Sequence, residues 1–296
     1  MPVNGDALRG VCNHLFWHDA APWENRNFRR GDAVFCKIDE VWRLFRALRR
    51  TRKRIVLVTG EGDKPVTRQL WAHKPPHVDH WFGMNNFVEA DSSTPLPLGI
   101  GNAGGRVTPS WEAIMEVCAI PSSREGLLYA NFGTASNPAV REPLLEWVKS
   151  RPWITKDSHD STAGLAGYLR QLRTHHFVLC PPGNGEDTHR MWEALYCGAI
   201  PVVRESPAMR EFKELPVLYV SDLMGISESA LRESLVNWQQ RGYRRDMLDI
   251  SYWKARIETA RDRCREKGPL TMREWLKGWF REIYAVARPD RELKMS

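Results

Sequence analysis

Short runs of β-branched and aliphatic residues alternate along this chain with amphipathic stretches, and no other feature restricts the possible fold as strongly. The clearest run, "RIVLVTG" at 54–60, is apolar almost throughout, which is typical of a parallel strand buried on both faces. The preceding stretch "DEVWRLFRALRR" at 39–50 has apolar residues at helical spacing. This alternation predicts an α/β fold with parallel sheets.

The same patterns predict the individual elements. Strands are expected at 32–38, 54–60, 80–85, 95–100, 127–132, 175–180, 199–203 and 216–220. Helices are expected at 39–50, 108–120, 138–150 and 189–198, followed by an amphipathic helix at 269–289. Asn137 and Pro138 suit the N-cap and first position of one helix, and Asp39 is expected to cap another.

The chain has 296 residues, a length that favours two domains of about 150 residues each. The segment "PSSREG" at 121–126 has the composition of a linker between them. We therefore expect a Rossmann-like domain over 1–122, a second Rossmann-like domain over 123–268 and a C-terminal helix over 269–296.

Composition and charge exclude some classes of protein and leave others open. Apolar residues make up 42% of the chain, and no run approaches the roughly 20 apolar residues of a membrane span. The N-terminus lacks a signal pattern, so a cytoplasmic protein with reduced cysteines is expected. The net charge is +7, and "RALRRTRKR" at 46–54 is interpreted as a solvated helix end, with an anionic partner as the alternative.

The loop "PPGNGEDT" at 181–188 is the main candidate for a binding site, because ligands of α/β sheets bind beyond the carboxyl ends of strands. Gly183 and Gly185 would let backbone amides approach an anion. Arg190 and Glu193 share a polar helix face and would suit a diphosphate and a ribose diol. The alternative is a plain Arg–Glu surface pair above a tight turn.

The order of residues in "FVLCPPGNGEDTHRMWEALYCGAIPVV" at 177–203 resembles the signature of the exostosin-type glycosyltransferases. "LLYANFGTASNPAVREPLLEWV" at 127–148 is similar to the segment that opens their donor-binding domain. The segments "AVFCKIDEVWRLF", "VLVTGEGD", "HWFGMNN" and "PLPLGIGN" resemble a block of bacterial and viral relatives. The resemblance implies a GT-B fold, with two facing Rossmann-like domains and a C-terminal helix that packs back on the first.

The resemblance also implies an activity and a set of residues. It implies transfer of a sugar, with inversion, from a nucleotide-diphosphate sugar, taken to be UDP-linked, to a hydroxyl of a glycan or glycolipid, as in polysaccharide biosynthesis. The implied donor-binding residues are Arg190 on the diphosphate, Glu193 on the ribose, the loop residues Gly183, Asn184 and Gly185 with His189, and Thr134 and Arg141 as secondary contacts.

No metal cofactor is expected. The chain contains no D-x-D motif, and an arginine with helix-end amides can neutralise a leaving diphosphate without a divalent ion. Cys12, His14, His18 and Asp19 lie close together in sequence, but they lack the second ligand pair that a zinc site requires.

An inverting transfer needs a base within hydrogen-bond reach of the acceptor hydroxyl. Asp63, which follows the strand at 54–60, is the preferred candidate, and Asp39 is the alternative. Glu61 and His80 are further candidates.

Two other functions remain open at this point. The positive charge would also suit a transferase that modifies hydroxylated bases of DNA, and a non-catalytic nucleotide- or sugar-binding protein could share the scaffold. The amphipathic tail would also allow peripheral contact with the inner face of a membrane.

Overall fold

The computed structural model describes residues 1–17, 28–102, 108–157, 164–238 and 243–276. The chain divides into two compact units, each built around one five-stranded parallel sheet. Met1–Ala7 and Pro97–Tyr252 form the second-sheet unit, and Leu8–Leu96 and Trp253–Ser296 form the first-sheet unit. The predicted α/β class with parallel sheets is confirmed.

The first-sheet unit has its strands in chain order. They are β1 (His14–Phe16), β2 (Ala33–Lys37), β3 (Ile55–Gly60), β4 (Val78–Met84) and β5 (Ser93–Leu96), and every neighbouring pair is parallel. Helix α1 (Gly5–Gly10) precedes them, and α2 (Val41–Leu48) and α3 (Arg68–Ala72) lie between strands. Val34, Leu57, Phe45 and Trp81 are fully buried in the core that joins this sheet to α2.

A long helix, α9 (Ile250–Glu266), returns to the first-sheet unit from Trp253 onwards. Arg261 Nε donates to the carbonyl of Gly31 at 3.2 Å, just before β2. Beyond the helix, Lys267 Nζ lies 2.9 Å from Asp79 Oδ1 in β4. Residues 253–268 were placed with the second domain by sequence, but these contacts assign them to the first sheet.

The start of the predicted C-terminal helix also contacts the first-sheet unit. Leu270 N donates to Arg52 O at 2.8 Å, Arg54 Nη2 lies 2.8 Å from Glu274 Oε1, and Trp275 Nε1 donates to Arg49 O at 3.0 Å. Residues 272–276 are helical, and 277–296 lie outside the described residues. Arg49, Arg52 and Arg54 of the basic run at 46–54 therefore contact residues 270–275. The run is more than the solvated helix end that was predicted.

The second-sheet unit has a different strand order. Its strands are β6 (Gly126–Ala130), β7 (Ile154–Lys156), β8 (His175–Leu179), β9 (Ile200–Arg204) and β10 (Leu218–Val220), all parallel and in the order β10-β9-β8-β6-β7. Its helices are α4 (Trp111–Ala119), α5 (Pro138–Lys149), α6 (Gly164–Thr174), α7 (His189–Tyr196) and α8 (Glu228–Trp238). The order reverses between β6 and β8, so their carboxyl ends border a crevice of the kind that binds ligands in such sheets.

Residues 97–122 pack with the second sheet, although the predicted boundary lay after them. Ile100 N donates to Val3 O at 3.0 Å, and a Cβ at Gly99, whose φ is +71°, would lie 2.0 Å from that same oxygen. The "PSSREG" segment is held inside the unit, because Arg124 donates to the carbonyls of Leu172 and Cys197. The two functional domains 1–122 and 123–268 stay predictions.

Of the two predicted helix caps, the N-cap position of Asn137 is confirmed, with Pro138 first in α5, and the cap at Asp39 is not. Asn137 stands at the N-cap position of α5, but its amide donates to Gly183 O at 3.2 Å instead of accepting from the helix. Asp39 does not cap α2: it lies in a 3-10 turn, Ile38–Glu40, and pairs with Lys64 at 3.1 Å. The cap prediction for Asp39 is wrong because α2 begins two residues later than the sequence pattern suggested.

All six cysteines are free in the structure; Cys36, Cys180, Cys197 and Cys264 are buried, and Cys12 and Cys118 are partly exposed. Within the described ranges, no helix combines the length and the apolar character needed to cross a membrane.

Candidate functional site

Arg141 of α5 ties together the two loops that border the crevice between β6 and β8. Its Nη1 donates to Gly133 O at 2.9 Å and to Ser136 Oγ at 2.7 Å, in the loop after β6. Its Nη2 and Nε donate to Pro181 O at 3.0 Å and Pro182 O at 2.9 Å, in the loop after β8. Burial, and then the like charge of Arg190, lower the pKa of Arg141 to about 10. Arg141, which was predicted to contact the donor, therefore also connects the two loops through its hydrogen bonds.

The position of the Arg141 guanidinium explains why residue 183 is a glycine. A Cβ there would lie 2.9 Å from Arg141 Nη2, and that nitrogen cannot easily move because it is hydrogen-bonded to Pro181. The amide of Gly183 donates to Gly185 O at 2.9 Å, so in this conformation it does not point an unused donor at an anion. Asn184 is exposed at the loop tip, and Gly185 is half-buried.

Two polar atoms at the start of α7 have no hydrogen-bond partner among the residues that the structure describes. Thr188 is the N-cap residue, but its side chain makes no capping hydrogen bond. Thr188 Oγ1 and Arg190 Nε are both buried and have no hydrogen-bond partner in the part of the chain that the structure describes. A buried donor without a partner costs about 1–3 kcal/mol, and more when the group is charged. The start of α7 is therefore suited to an added acceptor, and an anion would suit it best.

Glu193 is buried in α7, with 4% of its surface exposed, between the apolar residues Met191, Trp192, Ala194 and Leu195. Its Oε2 accepts a hydrogen bond from the hydroxyl of Tyr168 in α6 at 2.6 Å. The interpretation of Arg190 and Glu193 as a surface pair is wrong, because Glu193 faces the interior.

A polar network that the sequence patterns did not predict lies beside these residues. Tyr129 donates from its hydroxyl to Asp157 Oδ2 at 3.1 Å and accepts from Asn131 Nδ2 at 3.0 Å. The Tyr129 and Tyr168 rings are 6.2 Å apart. Burial raises the pKa of Tyr129, and the charge of Arg190 opposes this shift, which puts Arg190 near the same network. Alternation along β6 puts Tyr129 and Asn131 on one face, so that pair could have been predicted from the sequence. The contact of Tyr168 could not, because Tyr168 lies in α6, 25 residues before its partner Glu193.

Asp187 and His189 fasten the segment after β5 to the start of α7. Asp187 accepts from Leu98 N and from Trp192 Nε1, each at 2.7 Å. Burial raises the pKa of Asp187 to about 7, against the opposing effect of these hydrogen bonds. His189 Nδ1 lies 2.8 Å from Gly99 O, and because a carbonyl can only accept, Nδ1 carries the proton. His189, predicted as a donor contact, thus has only Nε2 left for a ligand.

Thr134 lies half-buried in the loop after β6, where its carbonyl accepts from Asn137 N at 3.1 Å. The structure therefore brings all eight predicted donor residues into one unit, around the loops after β6 and β8 and the start of α7.

The predicted catalytic bases lie in the first-sheet unit. Asp39 follows the carboxyl end of β2, and Asp63 follows the carboxyl end of its neighbour β3. Because the two strands are parallel, both residues lie at the same end of the sheet. Asp63 is exposed, and Asp39 pairs with Lys64 beside it. Glu61, with a left-handed φ of 58°, lies 3.6 Å from Arg9. His80 lies within β4 rather than at its end, and burial lowers its pKa to about 4, so its ring is neutral at physiological pH.

The cluster considered for zinc does not assemble among the described residues. Cys12 Sγ donates to Leu8 O at 3.4 Å, and His14 Nε2 lies 2.9 Å from Asp32 Oδ2. His18 and Asp19 lie outside the described residues. Within the described ranges, no three His, Cys, Asp or Glu side chains are placed to hold a metal ion.

In open α/β sheets, the place where the strand order reverses is where ligands commonly bind, and in the second-sheet unit it lies between β6 and β8. Residues 139–260 match the family model described as the RXYLT1 C-terminal domain. This match runs from α5 to the end of the second-sheet unit at Tyr252 and continues into α9, and it supports a glycosyltransferase related to the exostosin-type enzymes.

Two further comparisons complete this result. No curated protein matches the chain. Among solved structures, a chain in the "Crystal structure of GtfA/B complex" is similar, with 10% sequence identity and a TM-score of 0.35. The similarity covers 81% of this chain and 58% of that chain, so this chain spans less than two thirds of it.

Proposed function

We propose that this protein is a glycosyltransferase that moves a sugar from a nucleotide-diphosphate sugar to a hydroxyl of a glycan or glycolipid. The proposal includes a GT-B arrangement, inversion at the transferred carbon and a UDP-linked donor that needs no metal. The observation that carries it is Arg190, whose buried Nε has no hydrogen-bond partner within the described residues.

The surroundings of Arg190 support a diphosphate as the missing partner. Its positive charge lowers the pKa of Arg141, so two arginines interact at the crevice at a cost in free energy. An anion bound between the loop after β8 and the start of α7 would offset that repulsion and accept from Arg190 Nε. A guanidinium can bind two phosphate oxygens at once, which suits a leaving diphosphate.

Glu193 supports the position of the ribose. Tyr168 occupies its Oε2, which leaves Oε1 to accept hydrogen bonds from a vicinal diol. Arg190 and Glu193 stand at positions i and i+3 of α7, so both side chains leave the same side of the helix.

The transfer itself needs two groups from the protein. As the bond between sugar and diphosphate breaks, negative charge develops on the leaving phosphate, and Arg190 would stabilise it. The acceptor hydroxyl loses its proton as it attacks the sugar carbon. We assign that proton to Asp63, an exposed carboxylate at the end of β3, with Asp39 as the alternative.

A thermal-shift screen against UDP-, GDP-, CMP- and dTDP-sugars tests the donor class. One diphosphate-linked family, expected to be the UDP-sugars, should raise the melting temperature by on the order of 5 °C at about 100 times its Kd. Addition of a chelator should leave the shift unchanged. The proposal is contradicted if no nucleotide shifts the transition, or if CMP-sugars, which carry one phosphate, act as well as diphosphates.

Tyr168→Phe should weaken nucleotide binding about 5- to 10-fold, because Glu193 loses the hydrogen bond that holds its carboxylate. Tyr219→Phe is the matched control: its hydroxyl is also buried in the second-sheet unit but has no partner in the described chain, so its removal breaks no bond. Calorimetric titration with UDP measures both. Equal affinities for the two variants would show that Tyr168 does not position Glu193.

A nucleic-acid acceptor has no specific observation in its favour. The basic run at 46–54 contributes Lys53 to a hydrogen bond with Phe28 O at 2.7 Å, and Arg52 and Arg54 to contacts with Leu270 and Glu274. These side chains act inside the first-sheet unit.

A further inference from the structure

A chain of hydrogen bonds joins three side chains at the carboxyl ends of β6 and β7, beside the donor crevice. Asn131 directly follows β6, and Asp157 directly follows β7. The two strands are parallel neighbours, and Asp157 N donates to Ala130 O at 3.2 Å, which holds the two residues side by side. The hydroxyl of Tyr129 in β6 lies 3.1 Å from Asp157 Oδ2 and 3.0 Å from Asn131 Nδ2.

Asp157 determines the direction of these hydrogen bonds. A carboxylate can only accept, so the single hydroxyl hydrogen of Tyr129 goes to Asp157 Oδ2. The Tyr129 oxygen is then left as an acceptor, and Asn131 must present its NH2 group to it. The side-chain amide of Asn131 therefore has one orientation, in which its oxygen, Oδ1, is turned away from the Tyr129 hydroxyl.

Burial makes this orientation rigid. Tyr129 is fully buried, and Asn131 is 6% exposed. A reversed amide would place Asn131 Oδ1 against a phenol oxygen whose hydrogen is already used, and two such acceptors in contact are costly away from water. Asn131 Oδ1 accepts no hydrogen bond from the residues that the structure describes. A ligand that meets this oxygen must therefore supply a donor.

The Asn131 amide lies on the ribose side of the proposed donor site. Tyr168, whose hydroxyl donates to Glu193 at 2.6 Å, has its ring 6.2 Å from the ring of Tyr129. Because Glu193 is proposed to bind the ribose, the base attached to that ribose would lie near the end of β6, where Asn131 stands. Ligands of open α/β sheets bind beyond this end of the strands.

We propose that Asn131 recognises the base of the donor nucleotide and selects a pyrimidine with an imide N–H, as in uracil, against cytosine. Asn131 Oδ1 accepts from N3–H of uracil, whereas N3 of cytosine has no hydrogen and would bring two acceptors together. Tyr129 and Asp157 are positioning residues that keep the amide in the orientation which this contact needs. The assignment rests on the proposed function, because it takes the ribose to lie at Glu193.

Calorimetric titration of the full chain with UDP, CDP and inorganic pyrophosphate tests this assignment. UDP and CDP differ only in the base, so the ratio of their affinities measures the contact with Asn131, and pyrophosphate measures the diphosphate part alone. The wild type should bind UDP about 10-fold or more tightly than CDP. Asn131→Leu should bind UDP as weakly as CDP, with an unchanged affinity for pyrophosphate.

Two conservative variants test the positioning role. Tyr129→Phe keeps the buried ring and removes the hydroxyl, and Asp157→Asn, at a half-buried position, lets the Tyr129 hydrogen turn to Asn131. Each should lower the ratio of UDP to CDP affinity to about 3-fold or less, with pyrophosphate binding unchanged. Tyr219→Phe, which also removes a buried hydroxyl, is the control and should keep the wild-type ratio. If the three side chains only joined β6 to β7, these variants would weaken all three ligands together.

The outcomes distinguish this assignment from the donor site itself. Equal affinities of the wild type for UDP and CDP, or a wild-type ratio in Asn131→Leu, would overturn the assignment and leave the donor site standing. A wild-type ratio in both Tyr129→Phe and Asp157→Asn would overturn the positioning role. Absence of binding by all three ligands would contradict the donor site, and the base assignment would fail with it.

Discussion

Arg190→Ala is expected to lower the release of nucleoside diphosphate from the donor by about 100- to 1,000-fold. The guanidinium has a buried nitrogen without a partner within the described residues, so little in the folded protein depends on it. Its loss should remove the charge that meets the leaving diphosphate while leaving the fold intact. Turnover with the best donor from the thermal-shift screen measures the effect, and calorimetry with UDP measures the accompanying loss of affinity.

Two variants make this result specific. Arg190→Lys keeps the charge but not the fork of donors, so it should recover part of the affinity and less of the turnover. Arg232→Ala removes an exposed arginine of α8 that pairs with Glu228, and it should match the wild type. If Arg190→Ala retains wild-type turnover and affinity, the donor site does not lie at α7.

Arg141→Met is expected to lower the free energy of unfolding by about 3–5 kcal/mol. Methionine has a similar length, but it leaves Gly133 O, Ser136 Oγ, Pro181 O and Pro182 O without the donor that joins them. The loops after β6 and β8 would then lose the Arg141 hydrogen bonds and keep the bond from Asn137 Nδ2 to Gly183 O at 3.2 Å. The midpoint of urea unfolding should fall while the slope with denaturant stays unchanged.

Arg232→Met is the matched control for this change, because it replaces an exposed arginine in the same unit and should alter stability by less than about 0.5 kcal/mol. Nucleotide binding by the folded Arg141→Met protein should also weaken, since the loop at 181–188 is no longer held. A loss of stability below about 1 kcal/mol would mean that the four oxygens find water, and that Arg141 is mainly a ligand contact.

The fold class could be predicted from sequence because hydrophobic periodicity is local. The run at 54–60 became β3, and the run at 175–180 became β8, each within one residue of the prediction. The edge strands β1 and β7 were missed, since each has only three residues and carries little pattern of its own. Their pairing with longer neighbours, rather than their composition, makes them strands.

The packing units could not be predicted from the order of residues alone. Residues 97–122 follow the fifth strand and precede a linker-like segment, so sequence placed them with the first sheet. The hydrogen bonds of Leu98 and Ile100 to Asp187 and Val3 place them with the second. Likewise α9 continues from the second-sheet unit but packs in the first, through the contact of Arg261 with Gly31.

At the start of α7, the order of residues was enough to place Arg190 and Glu193 on one helix after a glycine loop, because a three-residue spacing brings side chains to one face. The parallel α/β class was also predictable, since it follows from local periodicity. The contacts of each residue could not be predicted in this way, because they depend on how distant segments pack. Tyr168 reaches Glu193 across 25 residues, and Leu98 reaches Asp187 across 89, because α6, α7 and the segment after β5 pack together in space. Burial in that packing removes Arg190 Nε from solvent and supplies it no partner within the described residues, so only the folded chain shows that Arg190 is suited to an anion.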